Sequence, residues 1–239
     1  MRRSAVRRPS AKYRIPAIAA AAATVAALLT IGIRPDPAVT AGSTSTATHT
    51  ELSEVLAKVT VVDVIAPLPG YQRGCGVDKK TGVREACVFG PAWNDPHDHS
   101  GCDTRNRLIR LSLRDIEYKP GTRGCKVTAG RLDPDPYTGQ TIDLAHVAVD
   151  HVIPLKVAWN AGAAHWNLRL RRIFANDLTE LIAVSSSANS RKGDSTLSEW
   201  IPETGKCRYV IRFLTVAAKY HLPITVKDRS AATAACLNT

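Results

Sequence analysis

The chain has 239 residues and a formal charge of +11, from 32 Lys and Arg against 21 Asp and Glu. Hydrophobic residues make up 44% and charged residues 22% of it, a globular balance that excludes a wholly disordered chain. Aromatic residues are only 5%, which argues against an aromatic platform for stacking single-stranded bases.

The first 41 residues resemble an export signal. Six basic residues within the first 14 precede an uncharged, Ala-rich stretch from Ile15 to Ile33, and small residues follow at 38–41. This order predicts either a signal peptide that is cleaved or an N-terminal membrane anchor that is retained. Residues 42–50 are small and polar and predict a flexible linker, so the globular domain is expected over residues 51–239.

The export segment carries much of the positive charge. Residues 1–41 hold seven basic residues and one acidic residue, which leaves 25 basic and 20 acidic residues, a net charge of +5, in the rest of the chain. A mildly basic domain suits a polyanion such as nucleic acid but does not by itself establish one.

Upstream of residue 146 the sequence alternates between short periodic segments and loops. Apolar residues at helical spacing predict a helix within 51–65 and another over 105–116. Residues 66–104 are rich in Gly, Pro, Asp and His and predict loops, with short strands near residues 87–89. Residues 117–146 carry Pro, Gly and Asp turn signals.

Downstream of this region the pattern is sharper. An alternating run from His146 predicts a β-strand that ends at Pro154, and residues 181–184 predict a second short strand. A helix capped by serine is predicted over 185–200. An amphipathic helix is predicted over 207–221.

Six cysteines lie beyond the export segment. An even number of cysteines in an exported chain predicts disulfides, and the absence of C-x-x-C spacing argues against a structural zinc site. Many pairings are possible on paper. We expect each cysteine to pair with its nearest neighbour in the chain: Cys75 with Cys87, Cys102 with Cys125, and Cys207 with Cys236.

Residues with catalytic chemistry lie around the two predicted strands. Asp150 and His151 end the first strand, and Asn189 opens the helix that follows the second. Carboxylate and amide oxygens are ligands that suit Mg²⁺ or Mn²⁺, and an imidazole with its ordinary pKa near neutrality can deprotonate a water molecule beside the metal. Arg191 and Lys192 follow closely and are available to phosphate oxygens.

Several motifs in the chain, taken in order, resemble the HNH endonuclease family. They are VDHVIPL at 149–155, AWNAGA at 158–163, FAND at 174–177, LIAV at 181–184, NSRKGD at 189–194 and EWIP at 199–202. The closest branch is the secreted bacterial one related to the C-terminal domain of GmrSD-type restriction endonucleases. GCDTRN at 101–106 and DPYTG at 135–139 are similar to the same branch.

The resemblance implies an α+β fold with a ββα-metal (HNH) finger near residues 146–202, embedded in a larger disulfide-containing domain. It also implies hydrolysis of phosphodiester bonds with little sequence specificity. DNA is the expected substrate, and RNA is the alternative. By position, it makes His151 the general base. It makes Asp150 and Asn189 the ligands of one divalent ion, with Mg²⁺ or Mn²⁺ expected and Zn²⁺ or Ni²⁺ as alternatives. Lys192 would face the scissile phosphate.

One position departs from the family pattern. The family usually has an Asn just before the second strand, where its side chain ties a loop and orients the histidine, whereas this chain has Glu180. A glutamate can accept a hydrogen bond but lacks the amide donor. Asn176 or Asp177 is therefore a candidate for the tether, and weakened activity or an altered metal preference is one possible outcome.

Other polar residues have weaker signals. Arg191 and Arg105 are candidates for binding phosphate or substrate, and Asp103 is a candidate helix N-cap. His97 and His99 are expected to be solvated loop residues rather than a metal site.

Two other functions are compatible with the sequence. One is an exported nucleic-acid-binding protein with a degraded site, and the other is a phosphodiesterase acting on small or lipid-linked substrates. Nucleic acid, DNA first, is the expected partner. No protein partner can be inferred, and contact with a membrane is expected only through the possible N-terminal anchor. The expected location is outside the cell or on the outer face of its membrane, in a bacterium.

Overall fold

The computed structural model describes residues 49–237 of the chain. The predicted signal peptide or anchor at 1–41, and nearly all of the predicted linker at 42–50, lie outside the described residues. Residues 49 and 50 already belong to the first helix rather than to a linker. No helix within residues 49–237 is both long and apolar enough to cross a membrane.

The described chain is a mixture of helices and short strands. The helices are α1 (residues 49–56), α2 (Thr104–Ser112), α3 (Leu155–Asn160), α4 (Leu168–Asn176), α5 (Ser186–Lys192), α6 (Lys206–Lys219) and α7 (Val226–Leu237). The strands are β1 (Val61–Val62), β2 (Arg114–Tyr118), β3 (Val127–Leu132), β4 (Ile142–Asp143), β5 (Val147–His151), β6 (Leu181–Ser185) and β7 (Ile224–Thr225).

The strands form small, separate sheets within the described residues. β1 pairs in parallel with β7, and β2, β3 and β4 form an antiparallel sheet in that order. β5 and β6 form an antiparallel pair in which His151 lies opposite Leu181 and Val147 lies opposite Ser185. Between β5 and β6 the chain forms α3 and α4, and α5 follows β6 directly.

The two faces of the β5–β6 pair contact different cores. Val147 and Val149 point to one face because side chains alternate along a strand, and they belong to a smaller core that contains Leu108 and Ile109 of α2. Val184 belongs to a larger core that also contains residues of α3, α6 and α7. The strand pair therefore lies between two hydrophobic clusters, so residues at either of its faces are removed from water.

Local sequence signals explain where two helices begin and end. The Asp103 carboxylate accepts the backbone N–H of Asn106 at the start of α2, as predicted for an N-cap. The Ser185 hydroxyl caps α5 by accepting the N–H of Ala188. α5 ends after Lys192 because Gly193 has φ +54°, a conformation that L side chains rarely adopt.

The three predicted disulfides are all present. Cys75 bonds Cys87 within one loop, Cys102 bonds Cys125, and Cys207 bonds Cys236, which joins α6 to α7. Each closed loop of this size typically contributes about 2–4 kcal/mol to the free energy of unfolding. All six cysteines are thereby oxidised.

Several predicted elements were placed correctly and others were wrong in extent. β5, β6 and α6 lie where the hydrophobic pattern predicts them. The predicted helix at 51–65 ends at residue 56, because the β-branched pair Val61–Val62 forms β1 instead. The expected strand at 87–89 is not a strand, and the predicted helix at 185–200 stops before Gly193.

Candidate functional site

Asp150 and His151 are neighbours on β5, so their side chains point to opposite faces of the strand pair. Both are buried, with relative exposures of 6% and 7%. His151 lies on the face of Val149 and the smaller core, whereas Asp150 lies on the face against which α5 packs. The two residues that the sequence assigns to one centre therefore have separate surroundings.

The Asp150 carboxylate is at the centre of a buried polar cluster. The Lys192 ammonium nitrogen lies 3.0 Å from Oδ1 and 2.9 Å from Oδ2 of Asp150, and it donates to the backbone carbonyl of His151 at 2.7 Å. The Tyr137 hydroxyl donates to Oδ2 of Asp150 at 2.6 Å. Lys192 and Tyr137 are each 1% exposed, so the whole cluster is shielded from water.

A short turn delivers Tyr137 to this cluster. The buried Asp135 carboxylate accepts from the backbone and hydroxyl of Thr138 and from the backbone N–H of Ser185 at the end of β6. Gly139 closes the turn with φ +73°, where a side chain would be strained. This is the DPYTG motif at 135–139, so its function here is to fix the Tyr137 hydroxyl on Asp150.

Burial is the largest cause of the shifted pKa values of Asp150 and Tyr137 in this cluster. Burial raises the pKa of Asp150, while the nearby Lys192 charge and the Tyr137 hydrogen bond oppose that rise. Burial, together with the Asp150 charge, raises the pKa of Tyr137 well above its ordinary value. The tyrosine therefore keeps its proton and acts as a donor to the carboxylate.

The predicted metal ligands do not fit a divalent ion in this arrangement. Both Asp150 oxygens already contact the Lys192 ammonium, and an ion bound to them would lie close to that positive charge. Asn189 is half-buried and precedes Lys192 by three residues on α5, so both lie on one face of the helix. Among residues 49–237, no three His, Cys, Asp or Glu side chains form a group that could hold a metal.

His151 is held in a defined tautomer. Its Nε2 lies 3.1 Å from the backbone carbonyl of Ala175, and since a carbonyl can only accept, Nε2 carries the hydrogen and Nδ1 carries the lone pair. The ring lies nearly parallel to Trp93, with centroids 5.9 Å apart. Burial, helped by the positive charge of Arg73, lowers the pKa of His151 to about 3, so the imidazole is neutral near pH 7.

A cavity of about 400 Å³ adjoins the imidazole. Its walls include His151, Trp93, Phe89 and Arg73, together with Cys75 of the first disulfide. The walls are mainly apolar, and Arg73 is exposed and supplies a positive charge. Asp150, Lys192 and Asn189 do not line this cavity.

Glu180 ties the loop that follows β5. Both of its carboxylate oxygens accept the backbone N–H of Ile153, at 3.1 and 3.2 Å, and its own carbonyl accepts the N–H of Val152. Because the partner is a donor, a carboxyl oxygen can make this contact in place of an amide oxygen. Glu180 is fully buried, and burial raises its pKa well above the ordinary value.

The other two tether candidates hold different parts of the structure. Asn176 accepts from the Thr104 hydroxyl at 2.7 Å and donates to the carbonyl of Arg172, which fixes the end of α4 next to Ala175. Asp177 accepts from Lys219 and Tyr220 of the α6 region. Asn176 therefore supports His151 indirectly, by fixing the segment that contains the Ala175 carbonyl.

The predicted phosphate-binding arginines lie apart from one another. Arg191 is exposed and pairs with Glu203 at 3.2 Å, and Arg105 is half-buried on α2. His97 and His99 are exposed loop residues, as expected.

Three residues of the site have no predicted role from the sequence. Tyr137 lies inside the DPYTG motif, and this motif is the one sequence signal that points to it. Trp93 and Arg73 come from loops with no periodic pattern, and only the folded chain places them next to His151.

Comparison with known proteins identifies the family. The family described as the C-terminal domain of GmrSD restriction endonucleases matches residues 103–229. A protein of Arthroderma benhamiae named "Uncharacterized secreted protein" is 36% identical over 143 residues, which cover 58% of this chain and 68% of that protein. No solved structure gives a significant match.

Because the family match spans more than half of the chain, the chain belongs to the family of GmrSD restriction endonuclease C-terminal domains. The matched residues include Tyr137, Asp150, His151, Glu180 and Lys192. Membership in a family of restriction endonuclease domains indicates a nuclease-like function. Trp93 and Arg73 lie upstream of the matched segment.

Replacing Lys192 tests the energetic importance of the buried cluster. Lys192→Met is expected to lower the free energy of unfolding by about 3–5 kcal/mol, because it leaves the Asp150 carboxylate buried without its counter-charge. The control Arg191→Met removes an exposed ion pair on the same helix and is expected to cost at most about 1 kcal/mol. Urea unfolding at pH 7 measures both, and equal small losses would contradict the assignment.

Replacing Glu180 tests the pH dependence that follows from its raised pKa. Burial favours the protonated carboxyl of Glu180, so the pKa of this group is higher in the folded protein than the value of 4.5 expected in the unfolded chain. The contribution of Glu180 to the free energy of unfolding is therefore fully present below pH 4.5. It is lost as the pH rises through the pKa of the folded protein. Glu180→Gln keeps an acceptor for Ile153 and removes the titration. We expect the variant to gain stability relative to the wild type as pH rises from 4 to 8. Parallel urea curves with a constant difference at all pH values would oppose this view.

Proposed function

We propose that this protein is an extracellular endonuclease that hydrolyses phosphodiester bonds in DNA, with RNA as an alternative substrate and His151 as the general base. The single observation that carries the proposal is the neutral, tautomer-fixed imidazole of His151 at the wall of a cavity that also contains Arg73. The family match to restriction endonuclease domains supports the same reaction class.

The imidazole supports base catalysis through its lone pair. Nδ1 accepts a proton from a water molecule while the water oxygen forms a bond to phosphorus. The bond from phosphorus to the leaving sugar oxygen breaks, and that oxygen takes a proton from solvent. A phosphodiester anion next to the ring would favour the imidazolium and raise the basicity that burial lowers in the free protein.

Arg73 supports binding of the phosphate. Its exposed side chain lines the same cavity as His151, and a guanidinium can contact two phosphate oxygens at once. Most of the binding energy is expected from backbone phosphates, since the domain after residue 41 has a net charge of +5. Affinity should fall with salt and show little base preference.

The β5–β6 pair followed by α5 supports the proposal of a ββα finger of the HNH type. His151 lies at the end of the first strand, Glu180 ties the loop before the second strand, and Asn189 lies on the helix. Because Asp150 contacts Lys192, no step is assigned to a divalent ion at this carboxylate. Comparison of the cleavage rates with Mg²⁺, with Mn²⁺ and with EDTA measures whether cleavage depends on a divalent ion.

Two observations support an extracellular location. The chain has three disulfides, which persist in oxidising surroundings. The Arthroderma benhamiae relative is named as a secreted protein. The predicted export signal at 1–41 agrees with both.

A second candidate function is an exported nucleic-acid-binding protein without catalysis. One observation favours it: the carboxylate that the family resemblance assigns to a metal is already paired with Lys192 in a water-excluded cluster. Such a protein would retain DNA and cut nothing under any divalent ion.

Cleavage by the purified protein separates the two functions. We expect supercoiled plasmid to be nicked and linearised, and His151→Ala to reduce the rate by about 100-fold or more because the general base is lost. The control His165→Ala removes an exposed histidine and should keep the wild-type rate. Each protein is assayed with Mg²⁺, with Mn²⁺ and with EDTA, and a chromogenic diester reports activity on small substrates. DNA retention without cutting in all of these conditions would favour the binding protein.

The pH profile of cleavage tests the state of the base. The pKa of His151 is lowered to about 3, so the imidazole is already deprotonated at pH 5.5 and needs no further loss of a proton to act. We therefore expect kcat/KM, which reports the free enzyme, to stay nearly level between pH 7.5 and 5.5. A fall with an apparent pKa near 6.5 would show that His151 titrates as an ordinary exposed histidine.

A further inference from the structure

We propose that the Lys192 ammonium is the resident cation of Asp150 and takes the place that the sequence resemblance gives to a divalent metal ion. The proposal concerns ion binding and stands apart from the proposed nuclease function. It predicts that the folded protein does not bind a divalent ion through Asp150.

The coordination of the ammonium is the first argument. An ammonium group has three protons to donate. Three acceptors lie within 3.0 Å of the Lys192 nitrogen, namely both oxygens of Asp150 and the backbone carbonyl of His151. Two of these contacts are hydrogen bonds, to Oδ1 of Asp150 and to the His151 carbonyl, and the third, to Oδ2 of Asp150, is an ion-pair contact.

Burial is the second argument. The Lys192 side chain is 0% exposed and the Asp150 side chain 7% exposed, so water does not screen the pair. The remaining neighbour, Tyr137, also donates to Asp150. A divalent ion that bound these oxygens would have to displace the ammonium from a buried site where an ion pair and two hydrogen bonds hold it.

The position of Lys192 gives the cation a structural role. It joins α5 to β5 through Asp150 and also holds the carbonyl of His151, the residue that we assign as base. Lys192 therefore fixes the end of β5 through the backbone, and this structural role does not depend on the proposed catalysis.

Binding of Mn²⁺ tests the proposal without reference to cleavage. Calorimetry and the electron paramagnetic resonance signal of free Mn²⁺ are recorded for the wild type, Asp150→Asn, Lys192→Met and the double variant. We expect Asp150→Asn to leave the wild-type binding curve unchanged. Lys192→Met should bind Mn²⁺ at least tenfold more tightly than the wild type, because the Asp150 carboxylate has lost the ammonium that neutralises it, and the double variant should lose this gain. The control Lys206→Met, at an exposed lysine, should gain nothing.

Wild-type Mn²⁺ binding that Asp150→Asn abolishes would overturn the proposal. Amine labelling of the unmodified protein with an acetylating reagent, read by mass spectrometry, gives a second test that needs no variant to fold. We expect Lys192 to stay unlabelled with and without Mn²⁺, while the exposed Lys206 is labelled in both conditions. Labelling of Lys192 only when Mn²⁺ is present would show that the metal displaces it, and would also overturn the proposal.

Discussion

A carboxylate excluded from water needs a compensating charge, and the contact between Asp150 and Lys192 supplies it. Removal of two charges from water is costly, so the geometry must be good and the remaining hydrogen-bonding groups must be satisfied. Here Tyr137 donates to the same carboxylate, and Lys192 also reaches the carbonyl of His151. Three parts of the chain, the turn at 135–139, β5 and α5, are therefore joined at one acid, and the position of the site depends on it.

Alternation along β5 separates two kinds of chemistry by a single residue. Asp150 points to the closed cluster, and His151 points to Trp93 and to the cavity. The link between them is the backbone, since the His151 carbonyl accepts from Lys192. The positive charge of Lys192 also contributes to the lowered pKa of His151, although burial and Arg73 contribute more. The imidazole of His151 and the ammonium of Lys192 are thus linked through the backbone, and Lys192 does not line the cavity that His151 lines.

The sequence pattern predicted correctly those elements whose formation depends mainly on residues close together in the chain. Alternation gave β5 and β6, periodicity gave α6, and the Asp103 cap was correct, because each depends on neighbours in the chain. The parallel pairing of β1 with β7 joins residues far apart in sequence through two-residue strands, too short to leave a pattern. The family resemblance assigns Lys192 to the scissile phosphate by its position alone, whereas its contact with the buried acid Asp150 depends on the tertiary fold.

Glu180 shows how a departure from a family pattern can keep the hydrogen-bond geometry while adding a group that can titrate. The group it must bind is the N–H of Ile153, so an acceptor is sufficient and the lost amide donor has no role at this contact. The charge also stays close to that of the amide, because burial favours the protonated, neutral carboxyl, just as it favours the neutral ring of His151 and the protonated hydroxyl of Tyr137. The charge of Asp150 is cancelled by that of Lys192, so the buried residues of the site together carry little net charge. Under the proposed function, the exposed Arg73 at the cavity would be the charge that attracts a phosphate, with the buried Asp150 carboxylate already paired with Lys192.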